Sequence, residues 1–255
     1  MAISEVSASD RFLTPYAQCG IIFVTWKDGT QSSGSCAVIG RNDILTAGHV
    51  VYNPDRGGWA DSFEFYFGAD YNNKTDRFDS RNWVYSSDSI SFTWSAITWP
   101  ENLYANNDNK TVNAAESQYD VALIGVSVPL GYVTGWLGVD PGRDLPQTAQ
   151  HVGYPSDGTG MMKDPVSVTR SRFWGVYDAN TPSLENGSSG GPLITSDNYL
   201  IGVRSSGDSD SSTWADIGFL WDRLYPELAK NDSCLVVRLP TRPPQRLRLQ
   251  ATRHR

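Results

Sequence analysis

The 255-residue sequence contains no long hydrophobic run, and nothing approaches the roughly 18 apolar residues of a membrane-spanning helix. Cysteine, histidine and methionine are scarce, with three of each. The three cysteines (Cys19, Cys36 and Cys234) are too few for a disulfide framework, and none stands in a CxxC pair of the zinc-binding kind. A single bridge, with Cys19 to Cys36 the favoured pairing, leaves Cys234 free. Basic residues are outnumbered, 21 Lys+Arg against 28 Asp+Glu, for a formal charge of −7. That balance argues against nucleic acid or an anionic membrane as partner. The opening residues, MAISEVSASD, have neither a basic nor an apolar region, so no secretory signal peptide is visible. Long helical patterns are also rare. The one convincing stretch is residues 219–230, with Pro226 inside it.

What is present is a succession of short apolar runs separated by turn residues, with 23 Gly and nine Trp. This combination leans towards an all-β fold. Strands are expected at residues 19–26, 35–39, 43–46, 61–67, 89–99, 120–126, 132–139, 150–154, 166–177, 192–195, 199–205 and 213–217. Asp28-Gly29 supplies a hairpin turn after the first of them. So many strands at short spacing suggest two small barrels side by side. The expected division is an N-terminal extension (1–14), a first barrel (15–128), a second barrel with a C-terminal helix (129–232) and a tail (233–255). Charge is split along the same lines. Residues 238–255 hold six Arg and no acid, leaving residues 1–237 with 15 basic and 28 acidic groups, net −13. The tail, with three prolines among its arginines, reads as disordered and appended rather than part of a core.

Three segments carry chemistry: Thr46-Ala47-Gly48-His49-Val50, Tyr119-Asp120-Val121-Ala122-Leu123-Ile124 and Gly187-Ser188-Ser189-Gly190-Gly191-Pro192. A serine hydroxyl becomes a nucleophile when a histidine takes its proton, and a buried carboxylate fixes that histidine. Glycines beside the serine allow backbone N–H groups to face a developing oxyanion. His49 is the candidate base, because His254 lies in the tail and His151 reads as structural. Gly187-Ser188-Ser189-Gly190-Gly191 also fits the nucleophile elbow GxSxG, but an elbow runs into a helix and here Pro192-Leu193-Ile194 follows. The histidine of that template comes after the serine, whereas the order here is His, Asp, Ser. Asp208-Ser209-Asp210 lacks the glycine and distal Glu of a calcium loop and reads as a solvated turn, as does the polar stretch 106–109. No metal or cofactor is expected.

Together TAGHV, YDVALI and GSSGGP resemble the three catalytic blocks of chymotrypsin-fold (trypsin-like) serine proteases. His151-Val152-Gly153-Tyr154-Pro155 and the Tyr177-Asp178 lead-in resemble the bacterial glutamyl-endopeptidase branch. The resemblance implies two six-stranded antiparallel β-barrels with the active site in the cleft between them. It implies His49 as general base, Asp120 as its orienting carboxylate, Ser189 as nucleophile, and the N–H groups of Gly187 and Ser189 as oxyanion hole. It also implies a protein or peptide substrate and a secreted or periplasmic setting. Two departures stand out. Ser188 replaces the acid that precedes the nucleophile, so activation through an ion pair with a freed N-terminal amine is not expected. Val50 replaces the cysteine that commonly follows the histidine, so Cys36 lacks its usual partner.

For specificity, Ser183 stands six residues before Ser189, where trypsin-type enzymes place the Asp that selects Lys or Arg. Arg204 occupies the position of the branch's acid-binding histidine, followed by Ser205, Ser206 and Gly207. Two non-tryptic alternatives therefore stand open: an acidic P1 residue bound by Arg204, or a small polar one. The net charge of −13 on the body opposes an acidic substrate at long range, so Arg204 would have to act locally. The rival functions are an inactive binding protein on the same fold and an esterase using the same triad.

Overall fold

The computed structural model describes residues 2–80, 82–86, 92–94, 112–141, 148–171, 175–233 and 235. Two antiparallel sheets dominate. The first has seven strands in the order Tyr85–Ser86, Ser62–Phe67, Cys19–Thr25, Gln31–Val38, Asp43–Thr46, Ala122–Val126, Phe92–Trp94. The second has eight, in the order Ser4–Glu5, Met162–Ser167, Thr148–Gly153, Pro192–Ile194, Leu200–Gly207, Ser212–Asp216, Val176–Ala179, Thr169–Arg170. The expected two-barrel β architecture is what the chain forms. Each sheet exceeds six strands because two-residue edge strands are added at its margins.

Alternation explains the first sheet. Ser62–Phe67 buries Phe63, Phe65 and Phe67 and turns Ser62 and Glu64 outward, the period of a strand with one wet face. On the other face Phe23 packs edge-on to Tyr66 and Tyr71 at 5.9 and 4.9 Å, with Phe78 against the same cluster. The hairpin expected at Asp28-Gly29 forms: Gly29 takes φ of 80°, and its N–H donates to the Trp26 carbonyl at 2.9 Å.

Several expectations need correction. Residues 132–139 form no strand; Gly131–Thr134 is one helical turn, closed by Gly135 at φ of 71°. Pro129 before it and Gly135 after it punctuate the chain more strongly than the β-branched residues extend it. In the N-terminal segment, Ser4 and Glu5 pair with Lys163 and Met162 of the second sheet and Val6 is fully buried. Cys19 and Cys36 are both free. In register, Cys19 faces Ala37 and Cys36 faces Gly20, so the two thiols point to opposite faces of the sheet and cannot bridge. Cys234, His254, residues 106–109 and the Arg-rich stretch 238–255 lie outside the described residues.

The C-terminal helix runs Ile217–Ser233, longer at both ends than its sequence pattern suggests. Asp216 caps it, accepting from the N–H groups of Gly218 (2.8 Å) and Phe219 (3.3 Å). Ile217, Leu220 and Leu224 face the core. At its far end Asn231 donates to Asp43 at 2.8 Å, which ties the helix to the first sheet. Among the described residues no helix is long and apolar enough to cross a membrane.

Candidate active site

Strand pairing brings the first two chemical segments together. Asp43–Thr46 and Ala122–Val126 are neighbours, with Ala122 opposite Thr46. His49 stands three residues beyond Thr46, in the helical turn Gly48–Val51, and Asp120 two residues before Ala122. A preceding turn, Ala114–Ser117, fixes the approach to Asp120 through a capping box between Asn113 and Glu116. The result is close contact: His49 Nδ1 lies 2.6 Å from Asp120 Oδ2, and the His49 backbone N–H donates to Oδ1 at 2.8 Å. A third donor, the Ser205 hydroxyl, reaches Oδ2 at 2.6 Å. Asp120 is wholly buried, while His49 keeps an opening to solvent. Burial works to lower the His49 pKa, but the charge and hydrogen bond of Asp120 outweigh it. They hold it above the ordinary histidine value, with Arg204 opposing.

The serine segment is shaped by its glycines. Gly187 and Gly190 have φ of 91° and 83°, and a Cβ at Gly190 would sit 2.2 Å from the Ser35 carbonyl oxygen. Ser35, in the first sheet, anchors the loop. Its N–H donates to the Ser189 carbonyl (2.7 Å) and its hydroxyl to the Gly187 carbonyl (2.9 Å). From the second sheet, Arg204 holds the loop through its backbone: Gly190 N–H donates to the Arg204 carbonyl, and Arg204 N–H to that of Gly191. The Ser188 side chain is buried and donates to the Leu184 carbonyl at 2.8 Å, a neutral bond where an acid would need a counter-charge. The N–H groups of Ser188, Gly190 and Gly191 all donate to backbone carbonyls, whereas those of Gly187 and Ser189 donate to none among the described residues.

His49 and Ser189 line one cleft of about 680 Å³, together with Ser183, Arg204, Ser205, Ser206 and Gly207. The expected residues therefore converge, but their hydroxyls are not equivalent. Ser205 is committed to Asp120, and Ser206 shares a hydrogen bond with Ser117 at 2.9 Å. The Ser183 hydroxyl donates to buried Asp164 at 2.7 Å and stands 3.0 Å from His151 Nδ1. Arg204 is buried, and its Nη1 finds no hydrogen-bond partner among the described residues. Burial lowers its pKa to about 10, so it stays charged at neutral pH; Asp164 and Asp208 work the other way. Asp208 itself is occupied by its own turn, accepting from the N–H groups of Asp210 and Ser211 and from the Ser211 hydroxyl. Ser35 and Asp164 carry no local sequence signal, because each is distant in the chain from what it touches.

A family model described as Trypsin matches residues 16–220. The chain belongs to the trypsin family. Solved structures similar to this trypsin-family chain include a Glu endopeptidase in complex with MPD, at 23% identity and TM-score 0.62, covering 89% of this chain and 96% of that one. The protease Anisep from Arthrobacter nicotinovorans is 20% identical with TM-score 0.61, covering 86% and 98% of the two chains. A scabies mite inactivated protease paralogue is 14% identical with TM-score 0.60, covering 90% and 100%. Comparison with curated proteins returns no match.

Proposed function

We propose that this chain is a serine endopeptidase in which Ser189 attacks the peptide carbonyl, His49 takes the serine proton, and Asp120 orients the imidazole. The observation that carries this reading is the 2.6 Å contact between His49 Nδ1 and Asp120 Oδ2 in the cleft that Ser189 also lines. Asp120 on Nδ1 directs Nε2 to the nucleophile, and its charge stabilises the imidazolium formed on proton transfer. The tetrahedral oxyanion is received by the N–H groups of Gly187 and Ser189, which no backbone carbonyl among the described residues occupies. Collapse releases the amine with the proton from His49 and leaves an acyl-enzyme on Ser189, which water then hydrolyses.

For P1 the acidic alternative is the better supported. Arg204 brings a buried positive charge with an unpartnered donor to the cleft, whereas the hydroxyls of Ser183 and Ser205 are spent on Asp164 and Asp120. A P1 carboxylate would satisfy the guanidinium through charge-assisted hydrogen bonds. No carboxylate stands at Ser183 to favour Lys or Arg. The test is a fluorophosphonate probe followed by a peptide library. Wild type labels, Ser189→Ala does not, and cleavage falls after Glu or Asp. Failure of wild type to label, or labelling of Ser189→Ala, overturns the nucleophile. Failure to label also favours the inactive binding protein, labelling without peptide cleavage points to an esterase, and cleavage after Lys or Arg overturns the specificity.

A further inference from the structure

Behind Arg204 lies a buried layer that the proteolytic mechanism does not use. Arg204 and Trp214 are direct cross-strand partners, which puts both side chains on one face of the sheet. The guanidinium carbon sits 5.1 Å from the centre of the Trp214 ring, and Trp214 is fully buried. A Cβ built on Gly207 would fall 2.4 Å from Arg204 Nη2 and 3.1 Å from Cζ. The guanidinium therefore occupies the volume that any other residue at 207 would claim. Arg204 forms no salt bridge among the described residues.

Trp214 is itself wedged. The His151 ring meets it edge-on, 5.5 Å between centres and 83° between planes. His151 is fully buried, and burial, reinforced by the Arg204 charge, drives its pKa well below the ordinary value, so the ring is neutral. Ser183 has one O–H, which it gives to Asp164, so it accepts from His151 Nδ1–H. The Ser183 backbone N–H is fixed in turn by the Ser212 hydroxyl at 2.8 Å. A neutral imidazole, held at Nδ1 by the hydroxyl that links it to Asp164, thus lies edge-on against Trp214.

An aromatic face attracts a cation without consuming its hydrogen-bond donors. A carboxylate in the same place would hold the guanidinium more tightly, but it would also take the donors a ligand needs. We infer that Trp214 is the positioning residue for P1 recognition, holding the Arg204 guanidinium against Gly207 with its Nη1 donor unspent, and that the Asp164–Ser183–His151 chain fixes Trp214. This inference rests on the acidic-P1 reading above and adds the residues that make it work.

The experiment compares kcat/KM for two peptide substrates that differ only in Glu or Gln at P1, normalised to the fraction of enzyme that a fluorophosphonate labels. Trp214→Leu removes the aromatic face, Trp214→Phe keeps one, and Gly207→Ala pushes on the guanidinium from its other contact. The Glu/Gln ratio falls about tenfold or more in Trp214→Leu and in Gly207→Ala, and Trp214→Phe recovers part of it. A merely structural role would lower both substrates together and leave the ratio alone. If Trp214→Leu does not fold, by near-ultraviolet circular dichroism, Gly207→Ala decides. A wild type that prefers Glu, with labelled variants that keep its ratio, overturns this inference and leaves the acidic-P1 reading standing. A wild type without preference for Glu overturns the acidic-P1 reading itself.

Discussion

Replacing Ser205 with alanine tests whether Asp120 is held as a charged and fully satisfied carboxylate. Three donors converge on it: the His49 N–H at 2.8 Å, His49 Nδ1 at 2.6 Å and the Ser205 hydroxyl at 2.6 Å. No part of Asp120 is exposed, so water does not substitute for a lost donor. A hydrogen bond to a buried charge contributes about 1.5–3 kcal/mol, and Ser205→Ala should cost about that much stability. The loss reads as a lower urea midpoint with an unchanged slope. Activity carries a second signature with a definite sign. Burial works to lower the pKa of His49, and the Asp120 charge and hydrogen bond overcome it. Without Ser205, the carboxylate charge bears more fully on the imidazole and raises its pKa further. With the neutral imidazole as the proposed base, the acid limb of kcat/KM moves to higher pH. Asp120→Asn is the opposing control, because it removes the charge. Its acid limb moves to lower pH and kcat falls by about four orders of magnitude. A folded Ser205→Ala protein with a lowered midpoint, whose acid limb stays in place or moves down, refutes the reasoning.

Two further substitutions probe the frame around the site. Asp43 is buried, and burial outweighs its hydrogen bond from Asn231, pushing its pKa up from 3.8 to about 6. A raised carboxylate favours the folded state fully below its unfolded pKa, and that contribution is lost as pH rises from about 4 through about 6. Asp43→Asn keeps an acceptor for Asn231 and should be about 1–3 kcal/mol more stable than wild type at pH 7.5, with the gain vanishing near pH 4. Urea titrations at the two pH values check it, and a variant less stable than wild type at pH 7.5 contradicts it. Gly190→Ala meets both a φ of 83° and a 2.2 Å clash with the Ser35 carbonyl. Displacing the loop that presents Ser189 should slow fluorophosphonate labelling about 100-fold or more; labelling at the wild-type rate would mean that the loop geometry does not matter.

The three chemical segments were legible in the sequence because each is local. A strand that ends in a small-residue turn before His49, and a glycine cluster around Ser189, can be recognised without knowing what lies opposite. What could not be read is register. Ser205 lines the cleft, but nothing local in the sequence shows that its hydroxyl belongs to Asp120, 85 residues away. The Cys19 to Cys36 bridge failed for the same reason: the cysteines sit on adjacent strands but one residue out of step, on opposite faces. The run at 132–139 misled differently, since its apolar residues suited a strand while Pro129 and Gly135 confined it to a helical turn.

Register also explains how position 204 can serve two purposes. Its backbone N–H and carbonyl are spent on Gly191 and Gly190, which holds the loop of the nucleophile whatever side chain it bears. Its side chain is free of that duty and meets Trp214 and the cleft instead. With Ser189 as the proposed nucleophile and Arg204 as the proposed P1 contact, loop geometry rests on the main chain of residue 204 and substrate choice on its side chain. A change at Arg204 should therefore alter which bond is cut more than how readily Ser189 reacts with a small fluorophosphonate. Arg204→Gln is the comparison that separates the two, since the probe carries no P1 carboxylate. Its labelling rate should stay near wild type while Glu-directed cleavage falls by about 10- to 100-fold, the size of a lost charge-assisted hydrogen bond. Equal losses in both assays would mean that the side chain, too, supports the nucleophile loop.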